Sequence, residues 1–346
     1  AVEVEYVYTR DGTTLGSGSV LAMNAGGDVF NGTIPALAGS NGAYVEFAVV
    51  ATDEEGLEGR AGGGYLVFEG DVTSIAQVQT TPRGFTGESP LYTQANGPSA
   101  PDDPIPFDLT ATVQQVFQRG PSWYGSLQDD PGLGPWTGIW VFFGNQDPGL
   151  SVGDELHITE AAINEQFEVT QLHDLTYTAV GSGSPYPYKQ VSTSVLTGDP
   201  DTNAAMEAHE GMLLTFQDVI ITNNDSGFGE WEFSSTSDPA DAIEADDWAD
   251  AFDDFDPAVF FVDGESREFI RGLWWFSFNE YKLVPIELTD IGESFPAGST
   301  RPVALDDVSI MDEDSQTVIH VLSNDRSRVG GDLAVTAVTA PSNGEV

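Results

Sequence analysis

The sequence has no cysteine and only two lysines, Lys189 and Lys282. The missing cysteine excludes a disulfide framework, thiolate metal sites and a cysteine nucleophile, while leaving secretion open. Bases as a class are scarce: 11 Lys and Arg stand against 56 Asp and Glu, a net charge of −45 over 346 residues. So negative a chain repels phosphate backbones and anionic lipid, and neither nucleic acid nor a membrane is expected as a partner. Long apolar runs are missing too. None approaches the roughly 18 residues that a spanning helix requires, so no membrane insertion is expected.

What is present argues for a folded chain, because 40% hydrophobic and 11% aromatic residues are typical of packed proteins. The 38 glycines and 20 prolines suit an all-β protein with many turns. Residues 1–70 alternate as strands do (Val2, Val4, Tyr6, Tyr8) and break at Asp-Gly, Gly-Gly and Asn-Gly steps. Residues 71–292 are aromatic-rich and hold 37 of the acids with only 6 bases. A linker, 293–302, leads to 303–346, where short strands are expected at Val308–Ile310, Thr317–Leu322 and Leu333–Val338.

Three stretches carry family resemblances. Gly26-Gly27-Asp28 through Ile34-Pro35, followed by Val45 to Asp53 with its Ala-Thr-Asp ending, resembles bacterial extracellular immunoglobulin-like modules. The match starts one strand late, so residues 1–70 are expected as a sandwich whose first strand is missing or supplied by other sequence. Trp123 to Asp129 leading to Gly138-Ile139-Trp140-Val141, with Val152-Gly153-Asp154-Glu155-Leu156, Glu210 to Leu214 and Tyr281 to Pro285, resembles the OB-fold module found beside secreted bacterial nucleases. The resemblance implies one decorated barrel across 71–292. The tail, Pro302 to Asp307 with Val321-Leu322-Ser323-Asn324-Asp325, resembles cadherin-like adhesin repeats. Arg326 and Arg328 stand where that pattern places calcium-binding carboxylates. The late start at Ala1 and the stop at Val346 read as an excerpt of a longer surface protein.

Catalytic motifs are missing: there is no Gly-x-Ser-x-Gly elbow, phosphate loop, His-Glu-x-x-His helix or Gly-x-Gly-x-x-Gly turn. The four histidines are scattered, and His173-Asp174 is not expected to pair because adjacent strand residues face opposite ways. No enzyme activity is expected from these residues, though a catalytic domain outside this chain stays open. The densest feature is Asp238 to Asp256, nine acids in nineteen residues without a base. Ile243, Trp248, Ala251, Phe252 and Phe255 recur at near-helical spacing between a capping Asp238 and a terminating Pro257, which predicts an amphipathic helix docked on the barrel. Its outer ribbon, Asp246, Asp247, Asp250, Asp253 and Asp254, is either a solvated face or a site for Ca²⁺, whose oxygen preference it suits. Asp129, Asp130, Asp53, Glu54 and Glu55 are weaker calcium candidates. Trp136, Tyr186, Tyr188 and Trp231 are candidates for stacking on glycan rings, or else pin long loops to the barrel.

These observations predict an all-β, multidomain extracellular segment: an immunoglobulin-like sandwich, a decorated OB-fold barrel and a partial second immunoglobulin-like or cadherin-like sandwich. The expected function is structural or adhesive, at the cell surface, as a fibre or filament subunit joined by strand addition. The expected partners are other copies, neighbouring surface domains or glycans. No cofactor is expected to be required, and Ca²⁺ is the one candidate ligand ion. The alternatives are an accessory, substrate-placing region of a secreted nuclease or polysaccharide hydrolase, or a carbohydrate-binding module.

Overall fold

The computed structural model describes residues 1–10, 13–40, 43–68, 70–80, 89, 91, 104–166, 169–200, 202–236 and 238–295, and in the C-terminal stretch 302, 318–323, 325, 327 and 332–339. Residues 1–67 supply β1 (Val2–Arg10), β2 (Thr13–Leu21), β3 (Met23–Gly26), β4 (Val29–Asn31), β5 (Ala43–Thr52) and β6 (Glu58–Val67). They form one antiparallel sheet, β2-β1-β5-β6, and a β3–β4 ribbon. Alternation sends Tyr8, Ala43 and Val45 into a small core with Leu15, Ile34 and Leu37. Among the described residues the ribbon is all that accompanies the sheet, less than the facing sheet of the expected sandwich.

The middle block departs from the single expected barrel, because its pairings close two rings. After α1 (Ile75–Gln79) come β7 (Ile105–Arg119), β8 (Ser122–Gln128), β9 (Gly138–Gly144), β10 (Asp154–Gln166) and β11 (Val169–Ser182). They close in the order β7-β8-β9-β11-β10, with every neighbour antiparallel except β9 and β11. Leu109, Val113, Leu127, Ile139, Leu156 and Leu172 fill this OB-like barrel, and Ile75 and Val78 of α1 join them. Next come β12 (Lys189–Gln190), α2 (Ala204–Glu207), β13 (Leu213–Gly227), β14 (Glu230–Ser234), β15 (Ile243–Ala245), α3 (Pro257–Phe260), β16 (Ser266–Ser277), β17 (Glu280–Val284) and β18 (Ser294–Phe295). Five of these repeat the ring, β13-β14-β15-β17-β16, again with its third and fifth strands parallel. The edge strands β12 and β18 are added outside it.

The predicted acidic helix is absent. Asp238 does cap, accepting the Ala240 N–H at 2.9 Å, but the turn it caps ends at Asp241 and the chain enters strand β15. Pro257, read as a stop, is instead the first residue of α3. The apolar spacing misled because Trp231, on β14, draws Phe252, Phe255 and Phe261 into one core from a loop, where no helical period is needed. His173 and Asp174 do meet, at 3.1 Å, since Asp174 has a φ of 51° and leaves the regular strand alternation. Of the strands expected in the tail, Val308–Ile310 lies outside the described residues. The described parts of the other two, residues 318–322 and 333–338, are not strands.

The barrels meet through aromatic side chains. Trp140 and Phe117 point out of the first barrel into the core of the second, where Trp140 Nε1 donates to the Trp274 carbonyl at 3.1 Å. The connecting turn comes so close that a Cβ at Gly211, which has a φ of +74°, would lie 2.6 Å from the Ile139 Cα.

Candidate ligand face of the second barrel

Alternation along β14, β15 and β17 divides the side chains cleanly. Trp231, Phe233, Ile243, Ala245, Tyr281 and Leu283 point inward and are buried. The residues between them, Glu230, Glu232, Glu244, Glu280 and Lys282, share the outer face. Register aligns Glu232, Glu244 and Lys282 in one row across three strands. Lys282 is only 2% exposed. Its ammonium contacts Glu230, lies 3.4 Å from Glu244 and stands 4.0 Å from Glu280. Three carboxylates thus surround one cation. Beside them a cleft of about 230 Å³ is lined by Glu232, Glu244 and Glu280 and walled by Thr197, Pro200 and Ile243.

Crowding changes how these groups hold protons. Burial, then a hydrogen bond with Glu280, raises the Glu244 acid to about 8 despite the attraction of Lys282. Burial and the Glu230 charge raise Asp246 to about 6. Burial lowers the Lys282 ammonium, but the Glu230 hydrogen bond and the surrounding charges outweigh it, and the net shift is upward.

Hairpin tips bound the face. Phe228, before β14, is 99% exposed, and Phe278, before β17, is 93% exposed. Because β14 is antiparallel to β15 and β17 is parallel to it, the two tips stand at opposite ends of the face. Both are left-handed, with φ of 58° and 51°. In OB-folds the second and third strands and the loops before the second and fifth form the ligand surface.

The structure distributes the sequence-predicted residues differently. Asp253 and Asp250 pair with Arg119 at 2.5 and 3.5 Å, and Asp250 also accepts the Gly120 N–H. Asp246 is buried near Glu230, and Asp247 lies over Gly229, where a Cβ would meet its carboxylate. Asp254 is exposed. Among the described residues no group of three or more His, Asp or Glu is arranged to hold a metal ion. The weaker calcium candidates Asp53, Asp129 and Asp130 each turn a carboxylate oxygen to backbone N–H groups. Trp231 is fully buried and offers no ring face to a ligand. Tyr188 lies against Arg271, 4.6 Å from its guanidinium, and its hydroxyl donates to Asp290. Trp136 and Tyr186 are half-buried, their N–H groups held by the Ala208 carbonyl and by Gln114. The four aromatics therefore serve separate contacts. The residues of the acidic face were missed, although Glu230-Trp231-Glu232-Phe233 and Glu280-Tyr281-Lys282-Leu283 carry the signal as strict alternation.

No family model and no curated protein matches the chain. Among solved structures it is similar to the tetrameric p202 HIN2, at 9% identity over 54% of this chain and 92% of that one, with a TM-score of 0.28. It is also similar to fission yeast Pot1 with ssDNA, at 11% identity over 58% of this chain and 87% of that one, with a TM-score of 0.24. These findings correct two expectations. One of the two structures is with ssDNA, and against these matches the adhesive assignment and the exclusion of nucleic acid are both withdrawn. The likeness itself is one of fold. No helix among the described residues is long and apolar enough to cross a membrane.

Proposed function

We propose that this chain is a non-catalytic binding protein that takes a cationic ligand, an amine-bearing chain such as a lysine-rich peptide, on the outer face of its second barrel. One observation carries the reading: Glu230, Glu244 and Glu280 converge on the single Lys282 ammonium beside an open cleft, leaving surplus negative charge where OB-folds hold ligands. A second cation entering the cleft relieves that excess, and Phe278, whose ring already faces Lys282 at 5.9 Å, offers a cation–π surface. The extracellular location and the immunoglobulin-like character of residues 1–70 belong to the same reading, since an acid-rich, lysine-poor surface suits salt- or divalent-rich surroundings.

Titration calorimetry with a short lysine peptide tests it. Binding is expected to strengthen from pH 6 to pH 9 as Asp246 and Glu244 ionise. Replacing Glu232, Glu244 and Glu280 together by Gln is expected to weaken it about tenfold, equivalent to about 1.4 kcal/mol. The same treatment of Asp53, Glu54 and Glu55 on the first module leaves it unchanged. Equal losses from both triple variants would reduce the interaction to the charge of the whole chain and end the proposal.

A second reading, a single-stranded nucleic acid, is favoured by Phe228 and Phe278, flat exposed rings at the two loops that bound the face. Oligonucleotide binding in the presence of magnesium that disappears on replacing both by Ala would select this reading over the first.

A further inference from the structure

Three carboxyl groups from different parts of the chain meet where the barrels join. Glu165 comes from β10 of the first barrel, Glu207 from α2, and Glu210 from the turn after α2, while Tyr281 arrives from β17 of the second barrel. Glu210 is 1% exposed and Glu207 3%. Glu165 Oε1 accepts from the Ser89 N–H at 2.6 Å and from Thr170 Oγ1 at 2.9 Å. Glu207 Oε2 accepts the Tyr281 hydroxyl. Glu210 Oε1 accepts the Thr170 N–H at 2.9 Å, but its Oε2 is buried without a hydrogen-bond partner. A buried carboxylate with an unsatisfied oxygen and two acidic neighbours is relieved most directly by taking up a proton.

We propose that Glu210 is protonated in the folded chain and that this proton latches the two barrels together, so that the joint loosens when Glu210 ionises. The groups that face it are the Glu207 and Glu165 carboxyls, the Thr170 N–H and the Tyr281 hydroxyl, which is hydrogen-bonded to Glu207 and also feels the Glu210 charge. His209, its neighbour in sequence, instead turns Nδ1 to the Ala205 carbonyl at 2.7 Å, and burial, with a smaller contribution from Lys189, holds its imidazole below the ordinary 6.5. Burial first, then Glu207 and Glu165, holds the Glu210 acid well above its ordinary 4.5, against the weaker pull of the Thr170 N–H. A folded value raised in this way stabilises at low pH, and the contribution is lost as pH rises through it. The same surroundings raise the Tyr281 hydroxyl above its ordinary 10, which keeps it a donor across this range.

The whole chain is titrated from pH 6 to pH 10 while tryptophan emission is recorded, because Trp140, Trp248, Trp274 and Trp275 all lie at the joint. Small-angle scattering and circular dichroism are followed in parallel. A red shift and an increase in radius are expected before strand content falls. Glu210→Gln, neutral at every pH, is expected to abolish that step, and Glu207→Gln to move it to lower pH by removing a neighbouring charge. Glu54→Gln, an exposed carboxylate of the first module, leaves it in place. Wild type and Glu210→Gln sharing one midpoint would overturn the proposal. Should Glu210→Gln fail to fold, infrared spectra of the wild type decide: the carbonyl band of a buried carboxylic acid is expected at neutral pH and lost on alkalinisation, and its absence at neutral pH overturns the latch.

Discussion

The two barrels share a ring order but use their outer faces in opposite ways. Around the second and third strands of the first, Tyr124, Phe117 and Trp140 are covered by Trp248 of the second barrel, whose ring lies 4.9 Å from Tyr124 and 6.0 Å from Trp140. Arg119 closes the edge with Asp250 and Asp253. The corresponding face of the second barrel carries Glu230, Glu232, Glu244 and Lys282 with no such cover among the described residues. Connectivity therefore sets where a ligand face lies, while the residues at its outward positions decide whether it packs or stays open.

The sharpest way to break this comparison is to empty the closed face. Trp140→Ala is expected to cost about 3–5 kcal/mol in urea unfolding, the range for a buried Trp truncated in a core; a loss under about 1 kcal/mol would mean that the faces only touch. On the open face, Lys282→Met strands the carboxylates that it neutralises and is expected to cost about 3 kcal/mol at pH 9. The loss shrinks towards pH 5, because the Glu244 and Asp246 acids, raised to about 8 and about 6, then take up protons. In the wild type the Glu244 contribution runs the opposite way: its folded value lies above the ordinary 4.5, so the stability it adds is present below about pH 4.5 and lost as pH rises through 8. A Lys282→Met penalty independent of pH would remove carboxylate crowding from the account. The smallest expected effect is at the tip. Phe278→Gly relieves a left-handed non-glycine residue with an almost fully exposed ring and is expected to stabilise by about 0.5–1 kcal/mol. A loss of stability instead would show that the ring packs.

The all-β class and an OB-like barrel were legible in the sequence because the motif residues lie on barrel strands, Gly138-Ile139-Trp140-Val141 in the first ring and Tyr281 to Val284 in the second. The two rings were read as one barrel because β15 is three residues long and lies within the acid run, whose apolar spacing imitates a helix. Short buried strands and helices cannot be separated by periodicity over so few residues. The acidic face was hidden for another reason. Its members come from β14, β15 and β17, and only ring closure brings Glu232, Glu244 and Lys282 into one row. Trp231, by contrast, looked like a loop aromatic until β14 placed it in the core.

The aromatic joint between the barrels also decides how the chain can be divided. A fragment ending after Ser182 would leave the greasy wall of Phe117, Tyr124 and Trp140 facing water, and a fragment beginning at Lys189 would do the same to Trp248 and Trp275. Each half would seek a substitute for its lost neighbour and clump with its own kind. The two barrels are therefore expected to be produced intact only together.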